Sequence, residues 1–186
     1  MKITMVRHGQ TDANYQRIIQ GRIDNPLNDV GRTQAHEVGE HLKSMHRSYD
    51  LVVSSQLSRA LETAFIINQY INAKPSIVIS HHLVERKFGH LEEKPFDDAI
   101  HYIKTNPQNN LGYENDEKII SRVKKAIFKL YQKYPNQNLL IVAHSHVIKA
   151  MLVIVDPQVY SFSEHRLKNT EFYHFEVHKN QISLEE

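Results

Sequence analysis

The run Leu139-Leu140-Ile141-Val142-Ala143 constrains the fold more than any other feature: five apolar residues with no polar alternation. A strand of this kind is covered on both faces, as in a sheet with helices packed above and below it. Lys2 to Val6 has the same character, being short, rich in β-formers and ended by a polar cluster. Leu51-Val52-Val53 and Ile77-Val78-Ile79 read as two further strands. Helical spacing fills the gaps. Asn28 caps a helix that carries Ala35, Val38, Leu42 and Met45 to about Arg47, after a loop reaching Leu27. Leu57, Ala60, Leu61, Ala64, Phe65, Asn68 and Ile71 trace a second apolar stripe. A short helix is expected near Phe96 to Lys104. A long amphipathic one runs from about Glu117 to Tyr134, with Ile119, Ile120, Val123, Ile127, Leu130 and Tyr131 inward and Pro135 stopping it. Another apolar helix covers Val147 to Val155, while 80–95 reads as a loop and 106–112 as turns. Alternation over Phe172 to Val177, a Lys179-Asn180 turn and Ile182 to Leu184 suggest a closing antiparallel hairpin. These alternating elements predict an α/β fold: a three-layer αβα sandwich with a mostly parallel central sheet and a C-terminal antiparallel hairpin. At 186 residues, the whole of 1–186 reads as a single domain.

Composition narrows the function by exclusion. The 23 basic and 21 acidic residues nearly cancel, which argues against a nucleic-acid partner, so any attraction for anions must be local. The chain has no cysteine, which removes disulfides, thiolate catalysis and cysteine-based zinc sites. A reducing compartment is compatible with that, and the cytoplasm is the expected location. The apolar run before Arg7 is far too short for a signal peptide, and no segment approaches the ~20 apolar residues that span a bilayer, so no membrane partner is expected.

Sheets of this architecture bind ligands outside the carboxyl ends of their strands, where Arg7, His8 and His144 fall. Phosphoryl transfer requires a nucleophile, cations or dipoles on the non-bridging oxygens, and an acid for the leaving oxygen. His8 is the candidate nucleophile, with the Arg7 cation expected to hold its imidazole neutral. Gly9 leaves room for a tetrahedral phosphate. Arg7 and Arg59 offer planar forks to phosphate oxygens, and Asn14 could add a hydrogen bond. His144 would stabilise charge growing on the equatorial oxygens. Glu85 is the carboxyl candidate, and to protonate a leaving alkoxide its pKa should be raised by burial beside Leu83, Val84 and Phe88.

Arg7-His8-Gly9-Gln10-Thr11-Asp12-Ala13-Asn14 resembles the signature of the histidine phosphatase, or phosphoglycerate mutase-like, superfamily. Five further segments match in order. Gln20-Gly21 resembles the loop that closes over substrate, and Pro26-Leu27 through Gly31-Arg32 with Gln34-Ala35 resembles the entry to the family's first helix. Ser54-Ser55-Gln56-Leu57-Ser58-Arg59-Ala60 with Thr63-Ala64 resembles the segment holding its second phosphate-binding arginine. Leu83-Val84-Glu85 with Phe88-Gly89 is similar to the segment supplying the acid, and Val142-Ala143-His144 to the second-histidine strand. Gly112, Glu114 and Arg122 echo a pattern before the family's long helix. The resemblance implies that His8 is phosphorylated while Glu85 protonates the leaving oxygen, and that Glu85 then activates water against the phosphohistidine. Neither a metal nor another cofactor is implied. The expected partners are a small phosphorylated substrate and inorganic phosphate as product. Catalytic candidates are therefore His8, Glu85, Arg7, Arg59 and His144, with Asn14, Gln20, Gly21 and Ser145 as substrate-binding candidates. The chain departs from the family where Ser145-His146 replaces the usual glycine, and at Leu91 and Glu93, where many relatives have tryptophan and glycine.

Plainer readings cover the other histidines and cations. His36 and His41 lie five apart and miss zinc-helix spacing; His81 and His82 are loop residues or line the pocket mouth. Lys124, Lys125, Lys129 and Lys133 fit a solvated helix face. Arg86, Lys87 and Lys94 could meet a second anion. Residues 90–116 have only Lys94 and Lys104 as basic residues besides histidines, which favours a phosphatase over a mutase; a retired phospholigand-binding relative is the third reading. Neither the substrate nor the oligomeric state can be read from the sequence.

Overall fold

A computed structural model describes residues 1–105, 112–163, 165–179 and 181–185. Its strands are β1 (Lys2–Arg7), β2 (Leu51–Ser54), β3 (Ile77–Ile79), β4 (Asn138–Ala143), β5 (Phe172–Val177) and β6 (Ile182–Leu184). The helices are α1 (Asp12–Tyr15), α2 (Asp29–Ser44), α3 (Ser58–Asn68), α4 (Phe96–Thr105), α5 (Asp116–Lys133) and α6 (Ser145–Val155). One sheet, ordered β3-β2-β4-β1-β5-β6, is parallel from β3 to β1 and antiparallel over β5 and β6. The predicted architecture is therefore observed, with the hairpin on one edge. Asn180 and most of the 106–112 turn region lie outside the described residues.

The apolar run of β4 divides by parity. Leu139, Ile141 and Ala143 join Ile119, Val123 and Ile127 of α5 and Val147, Ile148 and Met151 of α6 in one core. Leu140 and Val142 face Val38 and Leu42 of α2 and Ala60, Ala64 and Ile67 of α3 in the other. Period-two alternation in a strand covered on both sides produces this split, and full burial of each large aliphatic side chain contributes about 1.5–3 kcal/mol. Among the described residues no helix is long and apolar enough to cross a membrane.

Three expectations need correction. Phe65 is 56% exposed rather than part of the buried stripe of α3. Its seven expected positions span more than the face that α3 buries against α2 and the sheet. The loop before α2 contains α1, capped by a reciprocal Thr11–Asn14 box. Within 80–95, His81–Leu83 and Gly89–Leu91 form single 3-10 turns.

Candidate active site

Adjacent parallel strands bring the two histidines together. Arg7 is in register with Ala143, so His8 and His144 leave β1 and β4 at the same sheet edge, and the His8 backbone N–H donates to the Ala143 carbonyl at 3.0 Å. Their rings lie 5.2 Å apart between centroids, and both are buried. His8 Nδ1 lies 2.6 Å from the carbonyl oxygen of Gly9. A carbonyl only accepts, so Nδ1 carries the proton and Nε2 keeps its lone pair. Gly9 is needed for close approach: a Cβ there would lie 2.3 Å from the carbonyl oxygen of Gly31.

Arg59 arrives from the first turn of α3, whose start is capped from outside by Asp24, accepting from the Ser58 backbone N–H at 2.7 Å. The buried Arg59 guanidinium donates through Nη1 to Ile23 O at 2.7 Å and through Nη2 to Gly21 O at 2.9 Å. Gly21 thus acts through its carbonyl, with a left-handed φ of 51°. Arg7 is steadied by a 2.6 Å bond to Leu167 O. Thr63 joins the two segments, accepting from the Gly9 N–H at 3.1 Å and donating to Arg59 O at 2.7 Å.

Several buried nitrogens near His8 have no hydrogen-bond partner among the described residues: Arg7 Nε, Arg59 Nε and both ring nitrogens of His144, one of which carries the proton of the neutral imidazole. An unsatisfied buried polar group costs about 1–3 kcal/mol, so such a cluster is suited to an acceptor-rich anion. A tetrahedral phosphate has the charge and the lone pairs for it. Asn14 Oδ1 accepts from Thr11 N at 3.2 Å and from Asn169 Nδ2 at 3.2 Å, which leaves its own amide hydrogens available to an anion. Ser145 opens α6, whose N-terminal backbone N–H groups favour negative charge, that of His146 being taken by Glu85. Gln20 is committed elsewhere, its Oε1 accepting from Thr11 and Asn25 at 2.9 and 3.2 Å, so its side chain braces the loop.

Glu85 is buried and completes the cluster, its Oε1 accepting from the backbone N–H groups of Arg86 at 2.8 Å and His146 at 3.2 Å. Burial favours the neutral carboxyl, as expected from the sequence, but His146, His144 and the Arg86 N–H together favour the charged form more strongly. The carboxyl is held well below its ordinary range, contrary to the expected rise. Burial, and after it the charges of Arg59, His144 and Arg7, hold His8 far below the usual imidazole value. Arg7 therefore matters less than burial and Arg59 in keeping His8 neutral. Burial also pulls the Arg7 guanidinium down to about 10. His144 is lowered for the same reason, burial first and Arg59 second.

Other residues fall differently from their sequence reading. Arg86 is 2% exposed, lying 4.7 Å from the Tyr113 ring centre and 4.6 Å from that of Phe162, and is paired with Asp116. It is committed to the fold and does not meet a second anion, whereas Lys87 and Lys94 are exposed. His81 and His82 are exposed, and His81 pairs with Gln56. Two positions that bond directly to the site residues escaped the sequence reading. Asn169 donates to His8 O at 3.0 Å as well as to Asn14, and Arg22 donates to Glu85 O at 3.2 Å and pairs with Glu114 at 3.4 Å. Neither lies in a chemical motif; only the packing of β5 against β1 brings Asn169 there.

Known proteins carry the same arrangement of elements. The chain is 38% identical over 162 residues to the uncharacterized phosphatase PhoE of Bacillus subtilis, covering 86% of this chain and 81% of that protein. It superposes on a mutant phosphoserine phosphatase from Entamoeba histolytica in complex with phosphoserine. That match has a TM-score of 0.81 at 25% identity and covers 98% of this chain and 94% of the other. A phosphoglycerate mutase from Bacillus anthracis shares the fold with a TM-score of 0.85 at 22% identity, covering 100% and 91% of the two chains. The family model described as histidine phosphatase superfamily (branch 1) matches residues 3–186, and the chain belongs to that superfamily.

Proposed function

We propose that this chain is a metal-independent phosphatase that hydrolyses small phosphate monoesters through a phosphohistidine on His8. The observation that carries this reading is His8 itself: a neutral imidazole with Nε2 unprotonated, beside buried donors of Arg7, Arg59 and His144 that lack acceptors among the described residues. In the first step His8 Nε2 attacks phosphorus in line, the phosphorus–oxygen bond to the alcohol breaks, and the Glu85 carboxyl protonates the departing oxygen. In the second, water gives a proton to the Glu85 carboxylate as its oxygen displaces the imidazole, and inorganic phosphate leaves. Arg7, Arg59, His144, Asn14 and the N-terminus of α6 bind the phosphoryl oxygens in both steps. Glu85 is ionised in the site as described, and a dianionic phosphate against it raises its affinity for the proton it must deliver. The phosphatase description of the Bacillus subtilis relative supports hydrolysis, and the phosphoserine complex of the Entamoeba histolytica protein supports a small monoester.

A mutase would hold a second anionic group near the first, and the buried Arg86 is not available for that role. Hydrolysis is therefore preferred over transfer between bound acceptors. The test is turnover of a panel of phosphate monoesters in EDTA, with His8→Ala purified in parallel. EDTA-resistant hydrolysis that disappears in His8→Ala is expected. Hydrolysis that needs added metal, or that survives in His8→Ala, would refute the reading, and phosphoryl transfer exceeding hydrolysis would turn it to a mutase.

A further inference from the structure

Glu85 has to deliver a proton, yet its surroundings keep it ionised, and one side chain is placed to supply what it lacks. His146 Nδ1 lies 3.6 Å from Glu85 Oε1, is buried, and has no hydrogen-bond partner among the described residues. The backbone N–H of His146 donates to that same oxygen at 3.2 Å. The ring is confined on two sides. Phe88 meets it edge-on with centroids 5.2 Å apart, and Phe162 stacks within 10° of parallel at 6.0 Å. Phe162 is fixed in turn: its carbonyl accepts from Lys149 Nζ at 2.8 Å, and its ring packs on the Arg86 guanidinium.

We propose that His146 is a positioning residue that shares one proton with Glu85, so that imidazole and carboxylate act as one acid–base pair. The inference rests on Glu85 being the acid of the proposed reaction. When phosphate enters, the His146 imidazolium closes the 3.6 Å separation, passes its Nδ1 proton to the carboxylate and is left as the neutral ring. The carboxyl gives it to the leaving oxygen as the bond from His8 Nε2 to phosphorus forms and the ester bond breaks. Water then returns a proton to the carboxylate as the nitrogen–phosphorus bond breaks, and the pair again holds one. Burial first, with the charges of Arg86 and Lys149, disfavours the imidazolium while Glu85 favours it, so the ring is held below its ordinary value and readily gives its proton up to the carboxylate.

The test separates leaving groups. p-Nitrophenolate departs without a proton and an alkoxide does not, so a defect in proton delivery falls on alkyl phosphates. Wild type, His146→Phe, His146→Gln and Glu85→Gln are compared on p-nitrophenyl phosphate and glycerol phosphate, after melting curves establish which variants are folded. His146→Phe, which keeps the ring packing, is expected to lose about tenfold in kcat on the alkyl ester near pH ~7.5 and less than about threefold on the aryl ester. The alkyl deficit relative to wild type should shrink toward pH ~5.5, where Glu85 draws its proton from solvent. His146→Gln should show the same selectivity, and it carries the test if the phenylalanine variant does not fold. An equal loss on both esters at all pH values, or no loss, overturns the inference and leaves His146 a packing residue. If Glu85→Gln shows no alkyl-selective loss, the acid assignment fails, and the proposed function is at fault rather than the role of His146 alone.

Discussion

Around His8, the hydrogen bonds a side chain already makes decide what it has left for a ligand. Arg59 uses two nitrogens to hold the carbonyls of Gly21 and Ile23 and keeps Nε without a partner among the described residues, so it shapes the loop and offers a donor at once. A lysine has no fork to do both, and Arg59→Lys is expected to lower kcat/KM about a hundredfold, read by steady-state kinetics on a single ester. Asn169 supports His8 and Asn14 from a distance and touches neither acid nor nucleophile nitrogen. Its two bonds are each worth about 0.5–1.5 kcal/mol, so Asn169→Ala should lower the melting temperature by several degrees and, by loosening the His8 segment, reduce kcat/KM about tenfold. The sequence indicated His8, Arg7, Arg59, Glu85 and His144 because each sits in a motif with a chemical reason. It was silent on Asn169 and misread Arg86, because a contact across the fold leaves no local trace in the chain.

At the level of elements, legibility followed burial. β1 and β4 could be read almost residue by residue because a strand covered on both faces admits little but apolar side chains. α1 was hidden since four residues within a functional loop show no periodicity, and α3 was drawn too wide because Phe65 completes a stripe that the partner elements do not cover. Glu93 adopts a left-handed φ of 67°. That conformation costs an L-residue about 1–2 kcal/mol, and glycine gives back about 0.5–1 kcal/mol of it through the greater freedom of the unfolded chain. Glu93→Gly should therefore raise the melting temperature by a few degrees, and an unchanged or lower value would count against the turn as described. The opposite holds for Gly31, where a Cβ would stand 2.1 Å from the backbone oxygen of Gln10; Gly31→Ala should displace the His8 loop and abolish turnover.

For the molecule as a whole, a site built of buried neutral histidines links stability to pH. His8 and His144 are both held well below the ordinary imidazole value of 6.5, burial being the largest cause for each. The unfolded chain then binds more protons than the folded one below that value. Their contribution is complete above about pH 6.5 and is lost as pH falls, by up to about 1.4 kcal/mol per pH unit for each group. Denaturant unfolding at a series of pH values should show that decline starting near pH ~6.5, ahead of the carboxylates, and vanadate, by binding only the folded form, should offset part of it. The αβα architecture was readable from the alternation of its elements, while the coupling among these histidines required the register that sets β1 beside β4. The central claim is that the phosphoryl group rests on His8. Rapid acid-free quenching of the enzyme with a radiolabelled ester, followed by peptide mapping, tests it most directly. An acid-labile, base-stable label on the His8 peptide that forms and decays at rates compatible with turnover is the expected result. Turnover with no such label, and with activity retained in His8→Ala, would contradict it.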